Sequence, residues 1–196
     1  LAVITADHGE GLGEHGEWTH GMQVYDSTMR IPFVVWAGSE LDFQVKGRVD
    51  STPVSLVDVA PTLTGFLGLP PLKNASGEDL SPLFEGGTVN TERPLFMETG
   101  YPVNRYKAAP VFGTVLNGEV WIDTPVPERY DIGKDAAQQK NAYQSAQDAE
   151  ALAKVQGLAQ RKPDEFLGEG VLDEAKLEQL KALGYMYSEG VAELPT

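Results

Sequence analysis

The sequence predicts an α/β fold that passes into a small α+β subdomain, and three observations lead there. Two short apolar runs near the start, Leu1-Ala2-Val3-Ile4-Thr5 and Ile31-Pro32-Phe33-Val34-Val35-Trp36, have the composition of strands buried on both faces of a mixed, mainly parallel sheet. A helical spacing of apolar residues follows over 55–67. Later the pattern changes to a hairpin and then helices, which separates strands and helices along the chain. The expected division is residues 1–92, part of a larger α/β core flanked by helices, and residues 93–196, the small subdomain.

The elements follow in order. Residues 6–25 are rich in Gly, Glu and His with no helical or strand period, so they read as a loop. Residues 38–47 read as a surface connection, and 49–53 as a short strand or extended lead-in. Leu56, Val57, Val59, Ala60, Leu63, Phe66 and Leu67 share one helical face, with Ser55 as N-cap and Gly68 as stop. The Pro-, Gly- and Asn-rich stretch 70–90 reads as a loop with one turn of helix at 80–84. Residues 94–99 predict a strand. Asn117-Gly118 between residues 111–116 and 119–123 is a strong hairpin signal. Tyr101, Asn104, Arg105 and Tyr106 read as a polar-aromatic surface loop. Residues 129–132 add a short strand. Residues 135–162, rich in Ala, Gln, Lys and Glu, predict a helix broken near Gly157 and closed by Pro163. Residues 173–183 predict another, capped by Asp173 and ended by Gly184.

The 196 residues suffice for one domain with a sizeable core. Acids outnumber bases 29 to 15, for a net charge of −14. That excess argues against nucleic acid and anionic membranes as partners, because both are polyanions. No apolar run approaches the ~20 residues of a membrane span. Without cysteine, the chain has neither disulfides nor thiolate chemistry. Chain ends are commonly exposed and loose. A chain that opens in a core strand therefore leads us to expect residues before Leu1, where any signal or anchor would lie.

All three histidines fall between Asp7 and His20, with Asp7, Glu10, Glu14, Glu17, Asp26 and Glu40 on or near the same stretch. A solvated acidic loop and a metal site both account for that clustering. Position favours the second, since open α/β sheets bind ligands beyond the carboxyl ends of their strands. Asp7-His8-Gly9 comes just past the first strand, where Gly9 lets the chain turn so that both side chains converge. A carboxylate oxygen and a neutral imidazole nitrogen both serve a divalent ion. Two ligands leave a site open, so others are expected from elsewhere. The His-Glu-x-x-His protease spacing, the EF-hand ladder, the Gly-x-Ser-x-Gly elbow and a Gly-rich nucleotide loop are all absent.

Ala6-Asp7-His8-Gly9-Glu10-Gly11-Leu12-Gly13-Glu14-His15-Gly16, with Thr19-His20-Gly21, Tyr25-Asp26 and Arg30-Ile31-Pro32-Phe33, resembles the second signature region of the sulfatases, within the alkaline phosphatase superfamily. Weaker pieces follow in the family's order: Val57-Asp58-Val59-Ala60-Pro61-Thr62-Leu63, Leu67-Gly68-Leu69-Pro70, Gly77-Glu78-Asp79-Leu80, Arg129-Tyr130-Asp131-Ile132 with Asp135 and Asn141, and Leu180-Lys181-Ala182-Leu183-Gly184-Tyr185. The resemblance implies an alkaline-phosphatase-like sandwich and a metal-dependent hydrolase of sulfate monoesters.

Within it, Asp7 and His8 match the metal-ligating pair. His20 stands where the family places a Lys or His that contacts the scissile ester and its leaving oxygen. Imidazole titrates near ~6.5, so a cationic stabiliser and a general acid are both open roles. His15 and Glu14 are possible pocket residues, with a hydrogen bond from His15 to loop backbone as the plainer reading. Arg30 and Pro32 match the strand after the loop, Arg30 in a structural role. The implied ion is Ca²⁺, with Mn²⁺ or Zn²⁺ open because His8 offers nitrogen. A metal also answers the problem of holding an anionic ester in an acidic chain.

The implied partner is a small-molecule or carbohydrate sulfate ester. The family's Cys/Ser-x-Pro-Ser-Arg nucleophile motif, whose Cys becomes formylglycine, is absent, and so is its early Asp pair. Both are expected upstream, and the isolated polypeptide is then expected to be inactive. A phosphomonoester, phosphodiester or phosphonate hydrolase, or a phosphoethanolamine-type transferase of the same superfamily, would use the same Asp-His pair. A non-catalytic binding module is the reading from another class.

Overall fold

The computed structural model describes residues 1–36, 38, 47 and 49–159, all within one compact unit, Leu1–Gln160. The connection expected at 38–47 falls almost wholly outside the described residues, as does Glu40. So do the helix expected at 173–183 and the Leu180–Tyr185 motif.

Strand β1 (Ala2–Thr5) pairs with β2 (Phe33–Trp36), joined by the glycine-rich loop and the single turn of helix α1 (Asp26–Met29). The α/β class holds, but the pairing is antiparallel, with Ile4 opposite Val34 and Ala2 opposite Trp36. Every strand pairing among the described residues is antiparallel. An apolar run reports burial rather than direction, and a parallel neighbour needs a crossover of a dozen or more residues, usually a helix. The one helix between β1 and β2 has four residues. The expectation of burial on both faces also fails here, since Ile4, Val34 and Trp36 are exposed on one face of the ribbon.

Residues 49–53 form no strand. The helix expected at 55–67 begins as a 3-10 turn, Leu56–Asp58, and continues as α2 (Val59–Phe66). Ser55 caps it through its backbone, donating its N–H to Asp58 Oδ2 at 2.7 Å, and Gly68 ends it at φ +60°. Asp58 is 0% exposed. Its carboxylate also accepts the Glu78 N–H at 2.9 Å and a guanidinium N–H of Arg93. Arg93 Nε stands 3.2 Å from Glu78 Oε2, an ion pair without hydrogen-bond alignment. A buried carboxylate is tolerable only when paired and hydrogen-bonded in this way. Helix α3 (Ser81–Phe84) packs against α2, with Phe66 and Phe84 edge to face.

The second sheet runs β3 (Leu95–Thr99), β4 (Val111–Leu116), β5 (Glu119–Asp123), β6 (Glu128–Asp131), in that spatial order. Asn117 and Gly118 have φ of 52° and 77°, both positive as the predicted two-residue hairpin turn requires. The expected loop at 101–106 is instead a short helix, α4 (Tyr101–Tyr106), with Pro102 in its first turn. The expected helix 135–162 is shorter. Residues 135–144 are turns, and α5 (Ser145–Ala159) runs past Gly157 without a break. Asp135 prevents an earlier start, its carboxylate accepting the N–H groups of Gln139 (3.0 Å) and Lys140 (2.8 Å). Asn141 likewise takes the N–H groups of Arg129 and Tyr143. Such local side-chain bonds compete with helix formation.

One core cluster lies on one face of this sheet: Val24, Met97, Val120, Ile122 and Tyr130. Val24 comes from the glycine-rich loop and is 1% exposed. The loop is therefore plugged into the second sheet by an apolar side chain.

Candidate functional site

The loop after β1 doubles back on itself. Gly11 N–H donates to Thr19 O (2.7 Å) and Gly13 N–H to Glu17 O (2.8 Å), with a 3-10 turn, Glu14–Gly16, between the two arms. A Cβ on residue 11 would stand 2.7 Å from Glu17 O and 2.9 Å from Thr19 O, so only glycine lets the arms close. Glu17 is buried and accepts the Met22 N–H at 2.7 Å, which fixes the return arm. Gly9 N–H donates to Thr28 O at 2.7 Å and ties the outgoing arm to α1.

Closing the arms brings His20 to His8. Their rings stack with centroids 3.8 Å apart at 28°. His8 Nδ1 lies 2.8 Å from Gly9 O. A carbonyl only accepts, so Nδ1 carries the proton and a neutral ring keeps its lone pair on Nε2. That nitrogen is 3.7 Å from Asp7 Oδ2, while Asp7 Oδ1 accepts the His8 N–H at 3.0 Å. A carboxylate oxygen and an imidazole lone pair at this separation could both reach one cation. Divalent ions take carboxylate oxygen at ~2.0–2.6 Å and imidazole nitrogen at ~2.0–2.1 Å for zinc, so both atoms can touch one ion. The donor set thus fits the ion that the family resemblance implies. The Asp7 side chain is 85% exposed, leaving the far side open to further ligands. Among the described residues, no group of three or more His, Asp or Glu side chains gathers as a metal cluster.

His20 Nδ1 faces the Glu10 carboxylate, 3.3 Å from Oε2 and 3.4 Å from Oε1. A carboxylate only accepts, so the contact places a proton on Nδ1 and turns Nε2 outward. Glu10 belongs to the site, yet in the sequence it is one acid among several. Nothing local singles it out, because its contact with His20 depends on the loop's return.

The structure therefore joins Asp7, His8, His20 and Glu10. His15 and Glu14 are engaged in the scaffold. The His15 ring stacks on Tyr25 (3.6 Å, 12°), and its Nε2 lies 3.2 Å from Ala137 O. Glu14 Oε2 accepts the Leu12 N–H at 2.6 Å, and that bond is the first cause holding its carboxyl below the usual range. Arg30 is exposed; its charge opposes the burial that pushes the Asp26 carboxyl up.

Beyond the loop, Tyr25 OH donates to Glu128 Oε2 at 2.7 Å and Tyr130 OH donates to the same oxygen at 2.5 Å. Burial first, then the neighbouring carboxylate, pushes Tyr25 up to about 12 and raises Tyr130 as well. Asp26 N–H donates to Gln138 Oε1 at 2.6 Å. These contacts bind the loop's return to β6 and to the turns at 135–144.

A family model described as Sulfatase matches residues 1–69. A Δ4,5-hexuronate-2-O-sulfatase of Bacteroides thetaiotaomicron is 26% identical over 161 residues, 81% of this chain and 33% of that protein. The solved structure of a 2-O GAG sulfatase superposes with a TM-score of 0.61 at 24% identity, over 80% of this chain and 34% of the other. A protein solved in complex with its substrate D-glucosamine-2-N,6-O-disulfate superposes with a TM-score of 0.56 at 23% identity, over 80% of this chain and 32% of the other. The chain thus spans about a third of the length of the proteins it matches. The structural likenesses confirm the alkaline-phosphatase-like α/β fold.

Proposed function

We propose that this chain belongs to the sulfatase family, on the match of residues 1–69 and its likeness to a hexuronate sulfatase, and that it carries the metal-holding and leaving-group half of a site that hydrolyses sulfate monoesters of carbohydrates. The observation that carries the reading is the single group made by Asp7, His8, His20 and Glu10. Asp7 Oδ2 and His8 Nε2 would hold a divalent ion. Ca²⁺ is our first assignment, with Mn²⁺ or Zn²⁺ admitted by the His8 nitrogen. Such an ion supplies positive charge to the sulfate oxygens as the ester bond breaks. His20 presents Nε2 to the leaving oxygen, as a cation or as the donor of its proton. Glu10 keeps Nδ1 protonated and the ring oriented. Because His8 stacks on His20, the ion site and the leaving-group site are adjacent.

The nucleophile and the remaining metal ligands are assigned to residues outside these 196. Three observations support that assignment. The chain has no cysteine and no Cys/Ser-x-Pro-Ser-Arg motif. It spans about a third of its relatives. The ribbon of β1 and β2 turns Ile4, Val34 and Trp36 toward solvent on one face, and apolar patches of this kind mark interaction surfaces.

Titration of the full-length protein with Mn²⁺, followed by electron paramagnetic resonance, tests the ion site. Asp7→Asn and His8→Ala are expected to weaken binding about tenfold or more, the size usual for ligand-shell changes, while His20→Ala leaves it unchanged. Unaltered Mn²⁺ affinity in both ligand variants overturns the assignment. Turnover of a sulfate ester by the 196-residue chain alone would overturn the divided site.

A further inference from the structure

Helix α4 stands beside the reaction centre proposed above, and its exposed side chains are not used by that centre. Thr99 Oγ1 donates to Gly21 O at 2.5 Å and accepts the Tyr101 N–H at 3.2 Å. The same hydroxyl therefore ties the end of β3 and the start of α4 to the residue that follows His20. Three ring and Cβ atoms of Tyr101 lie 3.6–3.8 Å from where a Cβ on Gly21 would stand. The Tyr101 ring is thus held over the backbone next to His20. Tyr106 lies edge to face with it, centroids 6.3 Å apart at 66°. Despite this packing, Tyr101 is 46% and Tyr106 61% exposed.

Arg105 is exposed on the same short helix and makes no ion pair among the described residues. In a chain of net charge −14, an uncommitted guanidinium is a local centre for an anion, and its planar fork suits sulfate or carboxylate oxygens. Two tyrosine faces offer apolar surface for the C–H face of a sugar ring, with hydroxyls for its rim. Aromatic faces with a guanidinium between them in sequence are the chemistry that recognises a charged saccharide. A small alkyl sulfate would leave most of that surface unused.

We infer that Tyr101, Tyr106 and Arg105 form a subsite for the sugar ring of an anionic saccharide, placed so that its sulfate ester reaches His20. The subsite rests on the reading of Asp7, His8 and His20 as the reaction centre. It makes α4 a determinant of specificity.

Chemical-shift titration of the full-length protein by NMR tests it, with D-glucosamine-2-N,6-O-disulfate and methyl sulfate as probes. Tyr101→Ala is expected to weaken binding of the sugar disulfate about five- to tenfold, the scale of one lost stacking contact. Arg105→Gln is expected to weaken it about threefold or more, and Tyr101→Phe, which keeps the ring and loses only the hydroxyl, to weaken it less than Tyr101→Ala does. Neither Tyr101 variant should change methyl sulfate binding, whereas His20→Ala weakens it. Wild-type sugar affinity in both Tyr101→Ala and Arg105→Gln overturns the subsite, as does the absence of saturable sugar binding by the unaltered protein. The methyl sulfate response to His20→Ala reports on the reaction centre alone, so failure of that reading shows separately.

Discussion

At the scale of single residues, the Glu10 carboxylate and the His20 ring act as a pair. A histidine held at Nδ1 by a carboxylate presents Nε2 in one orientation. Glu10 is then a positioning residue. In the full-length protein, Glu10→Ala is expected to lower kcat for a sulfated sugar on the order of tenfold to a hundredfold, with KM changed by less than about twofold. Glu10→Gln, which can still accept from Nδ1, should recover part of the loss. Steady-state kinetics of the two variants check this, and a loss confined to KM would count against the role. Asp7 and His8 are legible in the sequence because they follow an apolar strand and precede a glycine. Glu10 is not, because its partner is ten positions away and the intervening backbone must first close through Gly11 and Gly13.

At the scale of elements, the site loop is held by what it packs against. Val24 enters the core of the second sheet, and Tyr25 and Tyr130 both donate to Glu128 Oε2. Both phenols are pushed up, Tyr25 to about 12, so the fold favours their neutral forms. Their contribution to stability is fully present below the ordinary phenol value of ~10 and is lost as pH rises through the folded value. Ultraviolet titration should show two of the seven tyrosines ionising late, together with alkaline loss of structure. Tyr25→Phe should remove one late phenol. Simple ionisation of all seven near ~10 in the folded protein would contradict the contact.

Hairpin β4–β5 and helix α2 were readable because Asn117-Gly118 and the Ser55-to-Gly68 pattern are local signals. The direction of β1 against β2 was not, since composition carries no direction. Helix α4 was missed because its six residues, with Tyr101 and Tyr106 exposed, have no buried face long enough to show a period. The turns at 135–144 were read as helix from their Ala and Gln content, which their Asp135 and Asn141 side-chain bonds override.

At the scale of the whole molecule, the proposed function asks an acidic chain to hold an anionic ester. The net charge of −14 works against such a ligand at long range, within a Debye length of ~8–10 Å. In the proposed site a cation held by Asp7 and His8 would reverse the sign locally, and the exposed Arg105 of α4 would add a second positive centre. Composition argues against nucleic acid and anionic membranes, while the motif block around Asp7 points to a small anionic partner. The nucleophile could not be read at all, because no residue here stands in the family's motif.

The most direct test of the central claim is turnover of a sulfated sugar by the full-length protein with His20 replaced. The account predicts that His20→Ala lowers kcat about a hundredfold or more, the range of a lost general acid, while Mn²⁺ affinity stays at its unaltered value. Wild-type turnover in His20→Ala would contradict it.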